Sequence, residues 1–220
     1  MLNDADIIYG LNEHTATYTT DSGIVIGIVS ANLLAADEKH ANYIRDGIKS
    51  LRDEGADLVI ASCHWGIEGD HYPNSYQQEM AHQVIDWGAD VLIGSHPHVL
   101  QGVELYNGKV ICYSLGNFCF GGNRNPKVKD TAIYQQTFTF SDGVLQKDIS
   151  ADIIPCMISS TTARNDFQPT VAEGERKQAI LDDMNDYSKP YSQAGFDSSG
   201  KLMVLEEEES VSYTHLTLPT

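Results

Sequence analysis

The sequence predicts a mixed α/β domain in which parallel βα units come first and antiparallel hairpins follow. Three observations predict it. Short β-branched, apolar runs alternate with segments of helical period over the first half. Two strand–helix–strand units in a row favour parallel pairing with right-handed crossovers. In the second half, paired strand patterns flank turn sequences.

Taken in order, Ile24–Ser30 (IVIGIVS) is short, β-branched and apolar, as a buried strand should be. Residues 36–54 place Ala41, Ile44, Ile48 and Leu51 three and four apart, which predicts an amphipathic helix stopped at Gly55. Asp57–Cys63 (DLVIASC) is the next buried strand. Ser75–Trp87 is a second helix, with Met80, Val84 and Trp87 on one face and Gly88 closing it. Asp90–Gly94 (DVLIG) is a third strand. Val103–Tyr106 and Lys109–Tyr113 then flank Asn107-Gly108, a strong hairpin signal. Thr131–Phe140 and Val144–Ile154 flank Ser141-Asp142-Gly143, a second hairpin. Glu173–Tyr187 is a late helix, and Ser188–Gly200, rich in Ser, Gly and Asp, is expected to be loop.

Composition narrows the function. Fourteen basic residues face 31 acidic ones over 220 residues, a net charge of −17. A chain this acidic is a poor candidate for binding nucleic acid or anionic membrane, because their phosphates would be repelled at long range. A phosphorylated substrate is not excluded, since bound metal ions would invert the local field. Part of the charge is a local run, Glu206–Glu209, expected to be solvated. No stretch approaches the ~20 apolar residues of a membrane helix. The start, MLNDADIIYG, lacks the basic-then-apolar order of a signal peptide. Cys63, Cys112, Cys119 and Cys156 include no C-x-x-C pair, so a zinc ribbon or thioredoxin-like motif is out. Cys63, Cys112 and Cys119 lie in apolar runs and are expected to be buried thiols.

Three short segments follow predicted strands, where sites gather in open α/β sheets. They are His64-Trp65-Gly66, Gly94-Ser95-His96-Pro97-His98 and Ser114-Leu115-Gly116-Asn117-Phe118. Pro97 fixes its own φ and pushes His96 away from helical φ/ψ, so His96-Pro97-His98 is expected to be extended, with both imidazoles on one side. Paired neutral imidazoles suit Zn, Mn or Fe. Two histidines alone are more often surface residues of a turn than a site. Parallel topology would add His64 from the neighbouring strand end. Glu68, Asp70 and His71 follow. Glu68 could orient a metal-bound imidazole or act as general acid or base, against the plainer reading of a solvated loop. His14, His40 and His82 are expected on the surface. No nucleophile elbow, phosphate-binding loop or dinucleotide fingerprint is present, and Gly121-Gly122 reads as a turn.

At these residues the sequence resembles the CapA-type poly-γ-glutamate and capsule synthesis proteins of the calcineurin-like metallophosphatase superfamily. The matching series is His64-Trp65-Gly66-x-Glu68, Pro73-x-x-x-Gln77-x-x-x-Ala81, Gly88-Ala89-Asp90-Val91, Gly94-Ser95-His96-Pro97-His98-Val99 and Tyr113-Ser114-Leu115-Gly116-Asn117-Phe118. The resemblance runs over about residues 23–120 and more loosely to 187. It implies the C-terminal part of a four-layer α/β/β/α sandwich, with His64, His96 and His98 as metal ligands and His64 and Glu68 as catalytic residues. It implies two divalent ions (Mn, Zn or Fe) in the complete protein and hydrolysis of a phosphoester-like bond. The implied substrate is an anionic polymer or phosphoester, handled at the cell envelope beside membrane-bound polymer synthesis machinery.

The family pattern also has a Gly-Asp, a second acidic ligand and an Asn-His-x-x-Asp upstream. None of these stands ahead of the matched series in this chain, and Asn12-Glu13-His14 lacks the downstream Asp. The chain is therefore expected to begin inside a longer protein. Gly69 stands where the family usually has an aromatic residue. The expected division is residues 1–187 as part of one domain, 188–210 as an acidic loop and tail, and 211–220 (VSYTHLTLPT) as a non-native tail that resembles translated adapter sequence. Two other function classes stand beside the hydrolase: a non-catalytic component of polymer assembly or export, and an inactive truncated product.

Overall fold

The structure, a computed structural model, describes residues 5, 7–11, 14–191 and 194–204. Asn12, Glu13, the acidic run Glu206–Glu209 and the expected non-native tail lie outside the described residues.

The parallel βα units form as expected. Strands β1 (Ala16–Thr19), β2 (Val25–Asn32), β3 (Leu58–His64), β4 (Val91–Ser95), β5 (Val103–Tyr106) and β6 (Lys109–Cys112) make one sheet in the order β1-β2-β3-β4-β6-β5. Its central pairs β2–β3, β3–β4 and β4–β6 are parallel. The β5–β6 hairpin turns at Asn107-Gly108, both with positive φ. The edge strand β1 runs antiparallel to β2; its sequence ATYT alternates too briefly to announce itself.

Helix α1 (Glu38–Asp53) starts where the Asp37 carboxylate accepts the backbone N–H of His40, and α2 (Ser75–Asp86) starts with a capping box between Asn74 and Gln77. Their buried stripes, Ile44, Ile48 and Leu51 on α1 and Met80, Ala81, Val84 and Ile85 on α2, pack on Val29, Val59, Ala61, Leu92 and Ile111 of the sheet. Burying each of the larger side chains among these contributes about 1.5–3 kcal/mol. Asp90 ties the layers together. This buried carboxylate accepts the Val59 N–H at 2.8 Å, pairs with Arg52 of α1 and meets Lys109 Nζ of β6 at 3.1 Å.

Alternation along β6 sends Ile111 to this first core and Val110 and Cys112 to a second. The second core joins the sheet to β7 (Asp130–Thr137) and β10 (Ser150–Met157), which pair antiparallel as the second predicted hairpin. The short strands β8 (Phe140–Ser141) and β9 (Val144–Leu145) pair near its tip, and β11 (Thr170–Val171) joins β10. Helix α3 (Gly174–Ser188) closes this core with Ile180, Leu181 and Met184. The architecture is thus the expected mixed α/β fold of metallophosphatase-like kind.

Two expectations are corrected. Residues 188–200 are not all loop: β12 (Ala194–Phe196) pairs with β13 (Leu202–Val204), and Ala194, Phe196 and Leu202 are buried in the second core. The apolar residues here have a packing surface in α3 that local composition does not reveal. Cys119 is exposed, whereas Cys63 and Cys112 are buried as expected. It lies beyond the end of β6, in a loop outside both cores. Among the described residues, no helix is long and apolar enough to cross a membrane.

Candidate metal centre

The carboxyl ends of β3 and β4 lie side by side. His64, the last residue of β3, is in register with Ser95, the last of β4. The segment carrying His96 and His98 therefore starts next to the His64 side chain. His64 Nε2 is 3.1 Å from His96 Nδ1, and its Nδ1 is 3.2 Å from Ser95 Oγ. The two rings meet edge to face with centroids 4.7 Å apart.

The His96-Pro97-His98 segment is bent, not extended. His96 has φ 100° and His98 φ 60°, both in the left-handed region. Such values are uncommon outside glycine and persist where surrounding contacts hold them. Two contacts do so here: Pro97 O accepts the Gly69 N–H at 2.8 Å, and His98 is gripped by Asn117. The expected convergence survives the changed backbone, with the two imidazole centroids 5.8 Å apart.

Gly94 makes this edge possible. A Cβ there would fall 2.0 Å from Tyr113 O and 2.6 Å from Trp65 Nε1. Trp65, fully buried, donates its indole N–H to Tyr113 O at 3.0 Å, so β4, β6 and the residue after His64 close around a position that has no room for a side chain.

Glu68, His96 and His98 each offer a ligand atom, and these atoms lie within 4.8 Å of one another. His64 reaches the group through His96. Glu68 thus stands beside the two histidines in the position of a donor, more central than sequence spacing suggested. Asp70 and His71 turn elsewhere: Asp70 Oδ1 accepts the Tyr72 N–H at 3.0 Å, and His71 Nδ1 lies 3.0 Å from Leu100 O. His40 is bound to Asp37, His82 to Glu104, and His14 is exposed.

The donor chemistry fits a divalent ion. Burial first, then His96 and His98, holds the His64 pKa below its ordinary value, which keeps a lone pair available. Two imidazole nitrogens on one ion, each about 2.0–2.1 Å away, stand roughly 3 Å apart, close to the His64–His96 separation. His98 Nδ1 is 2.6 Å from Oδ1 of buried Asn117, whose Nδ2 in turn donates to His98 O at 3.3 Å. With Asn117 accepting at Nδ1, the His98 lone pair is at Nε2, the usual arrangement for a ligating histidine. Asn117 stands in the Ser114–Phe118 segment that the sequence marks after a strand, but nothing in its spacing announces its contact with His98.

Beside the cluster is a cavity of about 570 Å³, lined by Glu68, His98, Asn117, Phe120, Asn123 and Lys127, among others. Phe120 lies against the His98 ring at 4.9 Å between centroids. The cavity offers a carboxylate, imidazole, amides, an aromatic face and one cation to a ligand.

Comparison with known proteins places the chain in a family. The model of the bacterial capsule synthesis protein family PGA_cap matches residues 8–122. The PGA biosynthesis protein CapA of Bacillus subtilis is 48% identical over 80 residues, 36% of this chain and 21% of that protein. The capsule biosynthesis protein CapA of Bacillus anthracis is 42% identical over 87 residues, 40% of this chain and 21% of that protein. A "Probable polyglutamine synthesis accessory protein" of Mycobacterium tuberculosis is 24% identical over 179 residues, 70% of this chain and 46% of that protein. The matches thus span about a fifth of the length of the two CapA proteins. With the family model matching more than half of its residues, the chain belongs to the bacterial capsule synthesis protein family PGA_cap.

Proposed function

We propose that this chain forms the histidine-bearing edge of a metal-dependent hydrolase, phosphoesterase-like in chemistry, that acts in capsule or poly-γ-glutamate synthesis at the cell envelope. The observation that supports it best is the convergence of His64, His96, His98 and Glu68 at the carboxyl ends of two adjacent parallel strands. Divalent Mn, Zn or Fe ions, two in the complete protein, would be held by His64, His96 and His98 with Glu68 at hand. Bound there, such ions supply Lewis acidity and lower the pKa of water. The chain's own residues do the rest. Asn117 fixes the tautomer of His98, and Ser95 Oγ lies in contact with His64 Nδ1. Glu68, exposed beside the histidines, can hold or release a proton at a carboxylate oxygen. Asn123 and Lys127 border the space an anionic polymer or phosphoester would fill.

The test is hydrolysis of a chromogenic phosphodiester and of poly-γ-glutamate by the full-length parent protein with Mn or Zn. Activity lost on His64→Ala, His96→Ala and His98→Ala is the expected outcome; activity indifferent to all three rejects the hydrolase. A second reading, a non-catalytic component of polymer assembly or export, draws on the accessory role named for the mycobacterial relative. Polymer capture unchanged by the same substitutions would favour it.

A further inference from the structure

We propose that Gln77 and Gln101 are positioning residues, a buried amide strap that holds the Glu68 loop against the His96-Pro97-His98 loop. The inference rests on the metal-site reading and deepens it.

Glu68 needs an external support. It is exposed, its neighbour Gly69 has φ 80°, and among the described residues its carboxylate has no hydrogen-bond donor. Its position beside the two histidines is therefore set by its backbone. That backbone runs from Gly66 (φ 86°) to Asp70 and is hydrogen-bonded to its surroundings at two points. Gly69 donates its N–H to Pro97 O at 2.8 Å, which joins the two loops directly. Asp70 O accepts from Gln101 Nε2 at 2.9 Å. Gln101 Oε1 accepts from Gln77 Nε2 at 3.0 Å, and Gln77 Oε1 accepts the Asn74 N–H at 3.1 Å. Gln77 also fills the space over Gly66, where a Cβ would fall 2.7 Å from its Oε1.

Both glutamine side chains are fully buried, with 0% exposure. Burying two amides with no function in view is costly, and their hydrogen bonds only offset that cost. An apolar pair would fill the same volume between α2 and the β4–β5 connection. What an apolar pair could not do is read the position of one carbonyl, Asp70 O. The strap begins in the α2 capping box and ends two residues after Glu68. Gln101 is itself anchored, its N–H donating to Ser114 O at 3.0 Å. The helix start, the β6 exit and the Glu68 loop are thereby set relative to one another.

The experiment uses the 220-residue chain, with Gln101→Met and Gln77→Met, which keep volume and remove the amides. Leu51→Ala serves as a control, lowering stability in the first core away from the strand ends. Two quantities are read: affinity for Mn and Zn by titration calorimetry, and amide hydrogen exchange at Gly69. The expected result is a loss of affinity of about 10-fold or more, in keeping with the loss of other groups that orient ligands, with faster Gly69 exchange. Leu51→Ala, at equal loss of Tm, leaves affinity unchanged. Unchanged affinity and exchange in both Gln variants would overturn the strap while leaving the metal site standing. A wild-type chain that binds neither metal, or binds it equally after His96→Ala and His98→Ala, overturns the metal-site reading and the strap's role with it. If Gln101→Met does not fold, Gln77→Met decides, because it breaks the strap one residue further from the loop.

Discussion

Asn117 and His98 grip each other twice: the imidazole Nδ1 meets the amide oxygen at 2.6 Å, and the amide nitrogen donates to the His98 carbonyl at 3.3 Å. The pair fixes a ring orientation and a positive-φ backbone with one buried side chain. Asn117→Ala releases both. The expected outcome is Zn or Mn affinity lower by on the order of 10- to 100-fold, as for other partners of ligating histidines. Asn117→Asp keeps an acceptor for the ring and should retain most of the affinity. Competition against a chromophoric chelator measures both. Equal affinity in Asn117→Ala and wild type would remove Asn117 from the site.

Gly94 bears on folding more than on binding. A methyl group at this position meets Tyr113 O at 2.0 Å and the Trp65 indole nitrogen at 2.6 Å, neither the end of a flexible chain. Strands β4 and β6 must separate or the Trp65–Tyr113 bond must break. Gly94→Ala should cost about 3 kcal/mol, the upper part of the usual range for overpacking. Urea unfolding followed by Trp fluorescence checks this, since Trp65 reports on the contact itself. Gly108→Ala is the contrasting variant: open space surrounds it, and only its positive φ is penalised.

Much of the first half was legible because its signals are local and repeated. IVIGIVS, DLVIASC and DVLIG carry enough β-branched and apolar character to read as buried strands, and the helices between them carry both period and caps. The meeting of His64 with the His96-Pro97-His98 segment was legible for the same reason, since parallel pairing puts successive strand ends on one edge. What was hidden depends on partners distant in sequence. Pro97 argues for an extended His96, but the Gly69 N–H on Pro97 O and the Asn117 amide on His98 hold a bend instead. β12 and β13, three residues each, are strands because α3 offers them a surface. Gln77 and Gln101 are polar by type, and only the fold shows that both are fully buried.

The cysteines give a separate check on the loop that flanks the site. Burial pushes the Cys63 and Cys112 thiols far above their ordinary pKa, and Cys156 is also buried and raised. Cys119 is exposed, beside Phe120 of the site cavity. Only thiolate reacts with a disulfide reagent, so labelling of the native chain should proceed at one thiol, with the other three released by denaturant. Cys119→Ser should abolish the fast phase. Fast labelling of two or more thiols would contradict the burial of β3, β6 and β10.

Acid should loosen the far wall of the same cavity as Asp166 takes up its proton. Residues 159–167 fold over the 123–128 loop, with Asn165 Nδ2 donating to Asn123 O at 3.2 Å and Asn165 N to Arg124 O at 3.2 Å. Asp166 organises that segment. Its carboxylate accepts from the Ser160 hydroxyl and, at 2.9 Å, from the Ser159 hydroxyl, and from the Ser160 and Gln168 N–H groups. These bonds, chiefly the Ser160 hydroxyl, pull its pKa from an ordinary 3.8 to about 2. A carboxyl with a depressed folded pKa binds its proton more readily in the unfolded chain. The stability it contributes is therefore complete above pH ~4 and is lost as pH falls through about 2. Carboxyl NMR should find Asp166 titrating near 2, with the Asn123 and Arg124 amides shifting in step. Asp166→Asn should remove that acid step and leave the 159–167 segment exchanging faster at every pH. An Asp166 that titrates at its ordinary value would mean the serine hydroxyls do not hold it in solution, and the cavity wall would then need another support.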